Sequence, residues 1–324
     1  MAFGRGTRAD RFNLFHAKFG SAMTLALIAG PGGVPPHLVR TLLARGEVPL
    51  ICEVAQHPSD IVGDLPRSRF RLETFGSLVQ ELTARGITRL CIAGALRRPD
   101  MDPLLIDAAT AACLPRLQAA LGRGEDATLR EIIAIIEEAG IDVVGAAEIA
   151  PDLLPDAGLM TGKVPDEVAA DLTAAQAAHT EMLRTESGHA VVAREGRAVA
   201  QEDARGIDAM LRDLATPPET GGGWTLDPFD LADQVIGGTA DWLSGRDTET
   251  RPTGGVLYAA PRPGQDLRAD MPVIGPETAR LARDAELSGI VIEAGGVMLL
   301  APETVRETLA AAGMFLWVRP ADRG

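Results

Sequence analysis

Short apolar runs alternate with segments of helical periodicity along most of the chain, and this alternation constrains the fold more than any other feature. The first run, Thr24 to Ala29, is followed by a glycine turn and a helix from about Pro36 to Arg45. A second run (Val48 to Val54) precedes a helix from Phe75 to Arg85, and a third spans Leu90 to Gly94. Because strands that alternate with helices usually pair in parallel, we predict a Rossmann-like unit with a mainly parallel sheet.

The rest of the chain predicts a second unit of the same class. A stretch rich in Pro and Gly, from Pro151 to Gly158, interrupts both periodicities, and strands and helices alternate again after it. With 324 residues, 46% of them hydrophobic, the chain can bury two modest cores. We therefore expect two α/β domains with the active site in the cleft between them. The predicted divisions are a flexible N-terminal extension (1–22), an N-terminal Rossmann-like domain (23–154) and a C-terminal catalytic α/β domain (155–324) with an insert at 215–253.

The composition excludes several classes of protein. The formal net charge of −14 argues against a nucleic-acid partner, since duplex binding depends on Lys and Arg that neutralise phosphates. No run reaches the roughly 18 apolar residues of a membrane helix, and the N-terminus lacks a secretory segment, so we expect a cytoplasmic protein. The three cysteines lie in apolar segments and are predicted to be core thiols. None of the five histidines has metal-ligand spacing.

A strand, a polar loop and a helix start follow one another in GGVLYAAPRPGQDLRADMPVIGPET (254–278). The charged residues of the loop are Arg262, Asp266, Arg268 and Asp270. Guanidinium groups bind phosphate through paired hydrogen-bond donors. Carboxylates bind divalent cations or orient water. The loop is therefore a candidate phosphate site. A solvated turn in which Arg and Asp pair locally is the alternative.

The run PRPGQDLRADMPVIGPET (261–278) resembles the signature of the UDP-2,3-diacylglucosamine pyrophosphatases of the LpxI type, enzymes of lipid A biosynthesis in Gram-negative bacteria. The resemblance extends in the same order from about Leu25 to Trp317. It implies hydrolysis of UDP-2,3-diacylglucosamine to 2,3-diacylglucosamine 1-phosphate (lipid X) and UMP, with water directed at the α-phosphorus and a divalent cation, Mg²⁺, as cofactor. The implied partner is this UDP-linked lipid. Peripheral contact with the inner face of the cytoplasmic membrane and a homodimer are left open.

The resemblance also assigns roles to individual residues. Asp270 matches the aspartate essential for turnover and is the expected catalytic residue, and Asp270 and Asp266 are the expected metal ligands. The expected substrate-binding residues of the C-terminal part are Asp208, Arg262, Gln265, Arg268 and Thr278. In the N-terminal part they are Gly30, Gly32, Gly33 and Arg98. The three glycines follow the first strand, where they would let the backbone approach a phosphate.

Three further features have explanations that need no ligand, and the sequence favours these. Asp126 is placed to cap the helix that follows it. The family has a similar stretch at this point, and the alternative is that Asp126 contributes to the active cleft. Gly295-Gly296 fits a tight hairpin turn. The aromatic residues of the insert are expected to pack on their own domain rather than to face acyl chains.

Three positions depart from the family pattern. Arg205 and Ile207 stand where the family has an acid and a hydroxyl, and Ala259 stands at a position that is commonly Lys. A catalytically impaired paralogue that binds a nucleotide-linked lipid without turnover is therefore one alternative. A dinucleotide-dependent oxidoreductase is another. It is disfavoured because the first turn is not GxGxxG and no acidic residue marks a clear end of the second strand.

Overall fold

The computed structural model describes residues 24–96, 101–182, 188–216, 253–262 and 264–321. The predicted N-terminal extension, Arg98 and all but the ends of the insert lie outside these ranges. The expected packing of the insert's aromatic residues therefore also falls outside the described residues.

Five parallel strands form the first sheet, in the order β3-β2-β1-β4-β5. They are β1 (Leu25–Ala29), β2 (Leu50–Val54), β3 (Arg67–Phe70), β4 (Arg89–Ala93) and β5 (Asp142–Val144). The accompanying helices are α1 (Val34–Ala44), α2 (Phe75–Ala84), α3 (Ala108–Leu121), α4 (Glu125–Glu138) and α5 (Ala146–Ile149). The predicted α/β class and the parallel first sheet are confirmed.

Alternate residues of β1 contribute to two separate apolar cores. Leu27 points into a cluster with residues of α1, whereas Ala26 and Ile28 point into a second cluster with residues of α2 and α4. Every residue of β1 is buried. Because side chains alternate between two covered faces, such a strand must be a continuous apolar run, which is why it was recognisable in the sequence.

The second half of the chain forms a mixed sheet and a small parallel pair. The strands are β6 (Gly158–Thr161), β7 (Ala190–Arg194), β8 (Arg197–Gln201), β9 (Val256–Ala259), β10 (Val273–Ile274), β11 (Gly289–Glu293), β12 (Met298–Leu299) and β13 (Phe315–Arg319). The helices are α6 (Val168–Met182), α7 (Ile207–Ala215), α8 (Pro276–Asp284) and α9 (Pro302–Ala311). The mixed sheet has the order β6-β13-β11-β9-β7-β8, with β9, β11 and β13 parallel and the other three antiparallel to their neighbours. None of the helices in the described ranges is both long and apolar enough to cross a bilayer.

The parallel pair formed by β10 and β12 joins the two sheet units. Met298 belongs to the apolar cluster around α1, and Met271, Val273 and Leu300 pack against the same cluster. The C-terminal half thus completes a core that begins in the first sheet unit. This apolar contact holds the loop before β10 against the first unit.

The hairpin predicted around Gly295-Gly296 is wrong. β11 pairs with β9 and β13, and β12 pairs with β10, so the turn does not join two paired strands. Gly295 has a φ of 74°, and the Gly296 N–H donates to Glu293 O at 3.3 Å, so a turn is present without strand pairing across it. The chain leaves the sheet here because Met298 is buried in the core of the first unit.

Glu73, in the turn between β3 and α2, gives a stability prediction. Its side chain is fully buried and accepts from Arg71 Nη2 at 3.0 Å and from the Asp102 N–H at 2.9 Å. Hydrogen bonding to Arg71 and to Asp102 lowers the pKa of Glu73 from 4.5 to about 2. Because the pKa is depressed in the folded protein, this contribution to stability is present above pH 4.5 and is lost as the pH falls towards about 2.

We therefore expect Glu73→Gln to lower the free energy of unfolding by roughly 1.5–3 kcal/mol at neutral pH. The difference from the unaltered protein should shrink as the pH falls towards 2. Urea unfolding at several pH values measures both quantities. The exposed Glu303→Gln is the matched control and should change the free energy of unfolding little. A Glu73→Gln difference that does not depend on pH would contradict the assignment.

Candidate functional site

Arg262, in the loop after β9, is the buried centre of a polar cluster. Its side chain is only 6% exposed. Nη2 donates to Asp126 Oδ1 at 2.5 Å and to Asp270 Oδ2 at 3.1 Å. Nη1 donates to Gly188 O at 3.2 Å and lies 3.0 Å from His189 Nε2. One guanidinium therefore joins groups that are far apart in the sequence.

One donor of this guanidinium lacks a hydrogen-bond partner. Arg262 Nε is buried and has no hydrogen-bond partner within the described ranges. Leaving a buried donor unsatisfied costs about 1–3 kcal/mol. An anion or a water molecule that accepts from Nε would recover this energy.

Strand pairing and a helix start bring the cluster together. β7 runs antiparallel to β9 with Ala190 opposite Ala259, so His189 lies beside Ala260 where the loop begins. The Ala260 N–H donates to His189 O at 3.1 Å. Asp126 comes from the first turn of α4, in the first sheet unit. The cluster is therefore built from both sheet units.

The Gln265 side chain forms hydrogen bonds with the backbone at both sides of the loop. Its Oε1 accepts from the Arg262 N–H at 2.9 Å, and its Nε2 donates to Asp270 O at 2.6 Å. Nε2 also lies 2.9 Å from His189 Nε2. The structure thus brings together three residues that the sequence predicted for the site: Arg262, Gln265 and Asp270.

Asp270 carries a charge that its surroundings stabilise. Burial by itself would raise the pKa of Asp270, whereas the positive charge of Arg262 and the hydrogen bond from its guanidinium lower it. The side chain is 35% exposed, so a ligand can reach it. At neutral pH Asp270 is therefore a carboxylate that can hold a cation or orient water.

His189 and Glu202 are site residues that the sequence analysis missed. Glu202 Oε2 accepts from the His189 N–H at 2.6 Å and lies 3.8 Å from His189 Nδ1. Burial raises the pKa of Glu202. A lone histidine carries no spacing signal. The two residues flank a hairpin, since His189 directly precedes β7 and Glu202 directly follows β8, and recognising that hairpin would have placed them side by side.

Arg268 pairs with Asp266 and also reaches α4. Arg268 Nη2 donates to Asp266 Oδ2 at 2.7 Å, and Nη1 donates to Glu137 Oε1 at 2.6 Å. Hydrogen bonding to Arg268 lowers the pKa of Asp266. Local pairing of Arg with Asp, the alternative for this loop, therefore holds for Arg268 and Asp266, whereas the contact with Glu137 ties the loop to the first sheet unit.

Asp208 and Thr278 form a pair with each other. Thr278 Oγ1 donates to Asp208 Oδ1 at 2.7 Å, and Thr278 is buried. The hydrogen bond links the first turns of α7 and α8. Their predicted role in substrate binding stays a prediction.

The glycine turn after β1 lies at the carboxyl edge of the first sheet. The Gly30 N–H donates to Ala93 O at 2.9 Å, and the Gly32 N–H donates to Asp60 Oδ2 at 2.7 Å. A Cβ at Gly33 would lie 2.3 Å from Leu300 Cδ2, just after β12. Close packing of the two halves therefore accounts for glycine at position 33, and phosphate binding by this turn stays a prediction.

The expectation that Asp126 caps α4 is wrong. The N-cap is Gly124, whose φ of 115° favours glycine. Asp126 lies in the first helical turn, where the helix dipole also favours a carboxylate. Its hydrogen bond from Arg262 makes it a member of the cluster instead of a cap.

The expectation that no acidic residue marks the end of the second strand is also wrong. Glu53 is the penultimate residue of β2. Its side chain is buried and accepts from Ser59 Oγ at 2.6 Å and from Arg67 Nη1 at 2.7 Å. The carboxylate is thus engaged in a local network, and it gives no support to a dinucleotide site.

The carboxylates suit a cation held jointly with substrate better than a cation held by protein alone. The described ranges contain no group of three or more His, Cys, Asp or Glu side chains placed to hold a metal ion. Mg²⁺ at phosphate-transfer sites is usually bound by one or two carboxylates together with substrate phosphates and water. Asp270 fits this mode because it is charged and partly exposed. Asp266 fits it less well, since both of its oxygens accept from Arg268.

Family comparison matches the two halves of the chain separately. The family model described as the LpxI N-terminal domain matches residues 24–153, and the model described as the LpxI C-terminal domain matches residues 231–317. The chain belongs to the LpxI family. In this LpxI-family chain, Asp126 lies in the first matched segment, Arg262 and Asp270 lie in the second, and His189 lies between them.

A curated LpxI relative covers nearly the whole chain. This protein of Caulobacter vibrioides, named UDP-2,3-diacylglucosamine pyrophosphatase LpxI, is 32% identical over 302 residues. The matched region is 92% of the present LpxI-family chain and 99% of the relative. The relationship therefore includes both sheet units and the connection between them.

The three departures from the LpxI pattern now have structural positions. Ala259 and Ile207 are buried in the apolar core of the second sheet unit. Arg205 forms ion pairs with Asp203 at 2.9 Å and with Asp213 at 2.7 Å, all on exposed side chains. The fold accommodates each residue, and their effect on turnover stays a prediction.

Proposed function

We propose that this protein hydrolyses the pyrophosphate bond of UDP-2,3-diacylglucosamine, yielding UMP and 2,3-diacylglucosamine 1-phosphate in lipid A biosynthesis. The observation that carries this proposal is the nearly full-length relationship to a relative that bears the name of this activity. The proposal places the reaction at the inner face of the cytoplasmic membrane, because the acyl chains of the substrate reside in a bilayer.

In this proposal Arg262 neutralises charge on a phosphate group and Asp270 orients the attacking water. The guanidinium of Arg262 brings a positive charge to the site, and its unpartnered Nε would give a charge-assisted hydrogen bond to a phosphate oxygen once the groups that cover it move aside. Asp270 lies 3.1 Å from the same guanidinium, so water held by its carboxylate is close to that phosphate. The water oxygen forms a new bond to phosphorus, the bridging P–O bond breaks, the second phosphate leaves as an anion, and the proton that the water loses is released to solvent.

We further propose that Asp270 is a ligand of a divalent cation, Mg²⁺, with Asp266 as the second predicted ligand. A bound cation would neutralise phosphate oxygens as charge develops on them. The contribution of the chain is to keep Asp270 ionised and fixed beside Arg262. Gln265 assists by holding the backbone carbonyl of Asp270.

The proposal predicts release of UMP that depends on Mg²⁺. Protein incubated with UDP-2,3-diacylglucosamine and Mg²⁺ should form UMP and the sugar phosphate in equal amounts. Chelation with EDTA should lower the rate at least about 10²-fold, since Lewis-acid stabilisation is worth several kcal/mol, and added Mg²⁺ should restore it. Separation of UMP by liquid chromatography measures the rate. A rate that EDTA leaves unchanged would remove the cation from the proposal.

The same assay in ¹⁸O-labelled water shows which phosphorus is attacked. Attack at the α-phosphorus, which the family resemblance implies, places the label in UMP. Attack at the β-phosphorus places it in the sugar phosphate. Mass spectrometry of the two products distinguishes these outcomes.

A second candidate function is binding of the nucleotide-linked lipid without turnover. The residues at positions 205, 207 and 259 favour it, because they differ from the family pattern. It predicts that calorimetry detects binding of UDP-2,3-diacylglucosamine while no UMP forms with Mg²⁺ present. Release of UMP at a rate well above that without protein excludes this candidate.

A further inference from the structure

We propose that His189 is a positioning residue of the site, a hydrogen-bond acceptor that holds Arg262 and Gln265 in place. The inference rests on the proposed function, since the role concerns the same hydrolysis. It assigns a task to a half-buried side chain that lies between the two segments matched by the family models.

The orientation of the Gln265 amide is fixed by two neighbours. Its Oε1 lies 2.9 Å from the Arg262 backbone nitrogen, and its Nε2 lies 2.6 Å from Asp270 O. Exchanging the amide oxygen and nitrogen would place two donors together at the first contact and two acceptors together at the second. Nε2 is therefore the atom that faces His189, at 2.9 Å, and it can only donate.

Arg262 presents a second donor to the same ring nitrogen. Its Nη1 lies 3.0 Å from His189 Nε2, and a guanidinium has no acceptor atom. Asp270 Oδ2 is an acceptor near Nε2, but it is farther away, at 3.3 Å, and already accepts from Arg262 Nη2. The two donors, Arg262 Nη1 and Gln265 Nε2, lie closer to His189 Nε2 than this carboxylate oxygen does, so they decide its role. Nε2 therefore carries the lone pair, and the ring proton lies on Nδ1.

The other side of the ring faces Glu202. Oε2 of Glu202 lies 3.8 Å from His189 Nδ1 and accepts from the His189 backbone N–H at 2.6 Å. A carboxylate on this side favours a proton on Nδ1. Gly188 has a φ of 68°, and a Cβ there would lie 2.5 Å from Glu202 O, so only glycine permits this close approach. The hairpin of β7 and β8 thereby holds the ring against the loop.

Loss of the acceptor would release two groups of the site. Arg262 Nη1 would keep Gly188 O as its hydrogen-bond partner, and Gln265 Nε2 would keep Asp270 O. A guanidinium held by fewer contacts can rotate and misplace the positive charge that the proposed function assigns to a phosphate. Because a misplacement of about 1 Å can lower a catalytic rate by 10²-fold, orientation of Arg262 is expected to affect turnover more than binding.

Replacement of His189 by Gln and by Leu tests the acceptor role. The Gln side chain carries an oxygen that can accept near the position of Nε2, whereas Leu fills a similar volume without an acceptor. We expect kcat for UMP release to fall roughly 10–100-fold in His189→Leu, with KM changed less. His189→Gln should recover most of that loss. His57→Gln, in the turn after β2, is the control and should keep the rate of the unaltered protein.

The outcomes that overturn the inference are specific. Equal losses of kcat in His189→Gln and His189→Leu would mean that the acceptor is not what matters. An unchanged kcat in His189→Leu would mean that His189 does not position the site. Loss of stability alone, measured by urea unfolding without loss of kcat, would also overturn it.

A second measurement does not depend on activity. Nitrogen-15 NMR of the histidine rings in the unaltered protein, with His189→Gln used to assign the signal, reports which ring nitrogen carries the proton. A proton on Nδ1 is expected, and a proton on Nε2 would overturn the inference. If the unaltered protein releases no UMP, the proposed hydrolysis fails, and the tautomer alone then decides the acceptor assignment.

Discussion

Asp270→Asn should lower the rate of UMP release by at least about 10²–10³-fold, the loss typical for removal of one preorganised charge-stabilising group. Asparagine has the shape of aspartate but not its charge, so it can neither bind a cation strongly nor polarise water in the same way. The Gln265 Nε2 bond to the backbone carbonyl of residue 270 does not involve the altered side chain. The loop should therefore keep its conformation, and affinity for UMP, measured by calorimetry, should change little.

Asp284→Asn is the matched control for this substitution. Asp284 lies at the end of α8 and pairs with Arg280 and Arg283 at the surface. Its removal should leave UMP release unchanged. An Asp270→Asn protein that retains more than a small fraction of the parent rate, with unchanged Mg²⁺ dependence, would show that another group orients the water and binds the cation.

Arg262→Met should both unfold more easily and fail to release UMP. Methionine fills part of the space of the arginine but leaves Asp126 and Asp270 facing each other without a cation. Removing one partner of a buried ion pair usually costs 3–5 kcal/mol, and we expect about 3 kcal/mol because Asp270 is partly exposed. Urea unfolding measures this change in the free energy of unfolding.

Two further variants show whether the effects of Arg262→Met arise from the buried position and the planar shape of this guanidinium. Arg280→Met removes a surface arginine that pairs with Glu277 and Asp284, and it should cost less than about 1 kcal/mol. Arg262→Lys keeps a positive charge but loses the planar fork that donates to several groups at once, so it should recover stability better than turnover. A free energy of unfolding unchanged in Arg262→Met would contradict the central position of this guanidinium.

The first sheet was predictable where burial on both faces required an unbroken apolar run. β3, with the sequence RSRF, was missed because it lies at the edge of the sheet and buries only Ser68 and Phe70. Helix α3 was missed for a related reason. It is rich in alanine and buries only Thr110 and Ala120, so it has no strong apolar stripe. In both cases the local pattern is weak because the element contributes little to a core.

In the site, the sequence by itself determined the single loop that carries Arg262, Gln265 and Asp270. These residues are close in the chain and form hydrogen bonds with one another inside that loop. Only the tertiary structure decided what this loop meets. Asp126 lies 136 residues away in the sequence and His189 lies 73 residues away. Their positions depend on the packing of α4 against the first sheet and on the antiparallel register of β7 with β9. Such contacts arise when separate elements bury apolar surface against each other, and no local pattern of residues encodes the alignment that results.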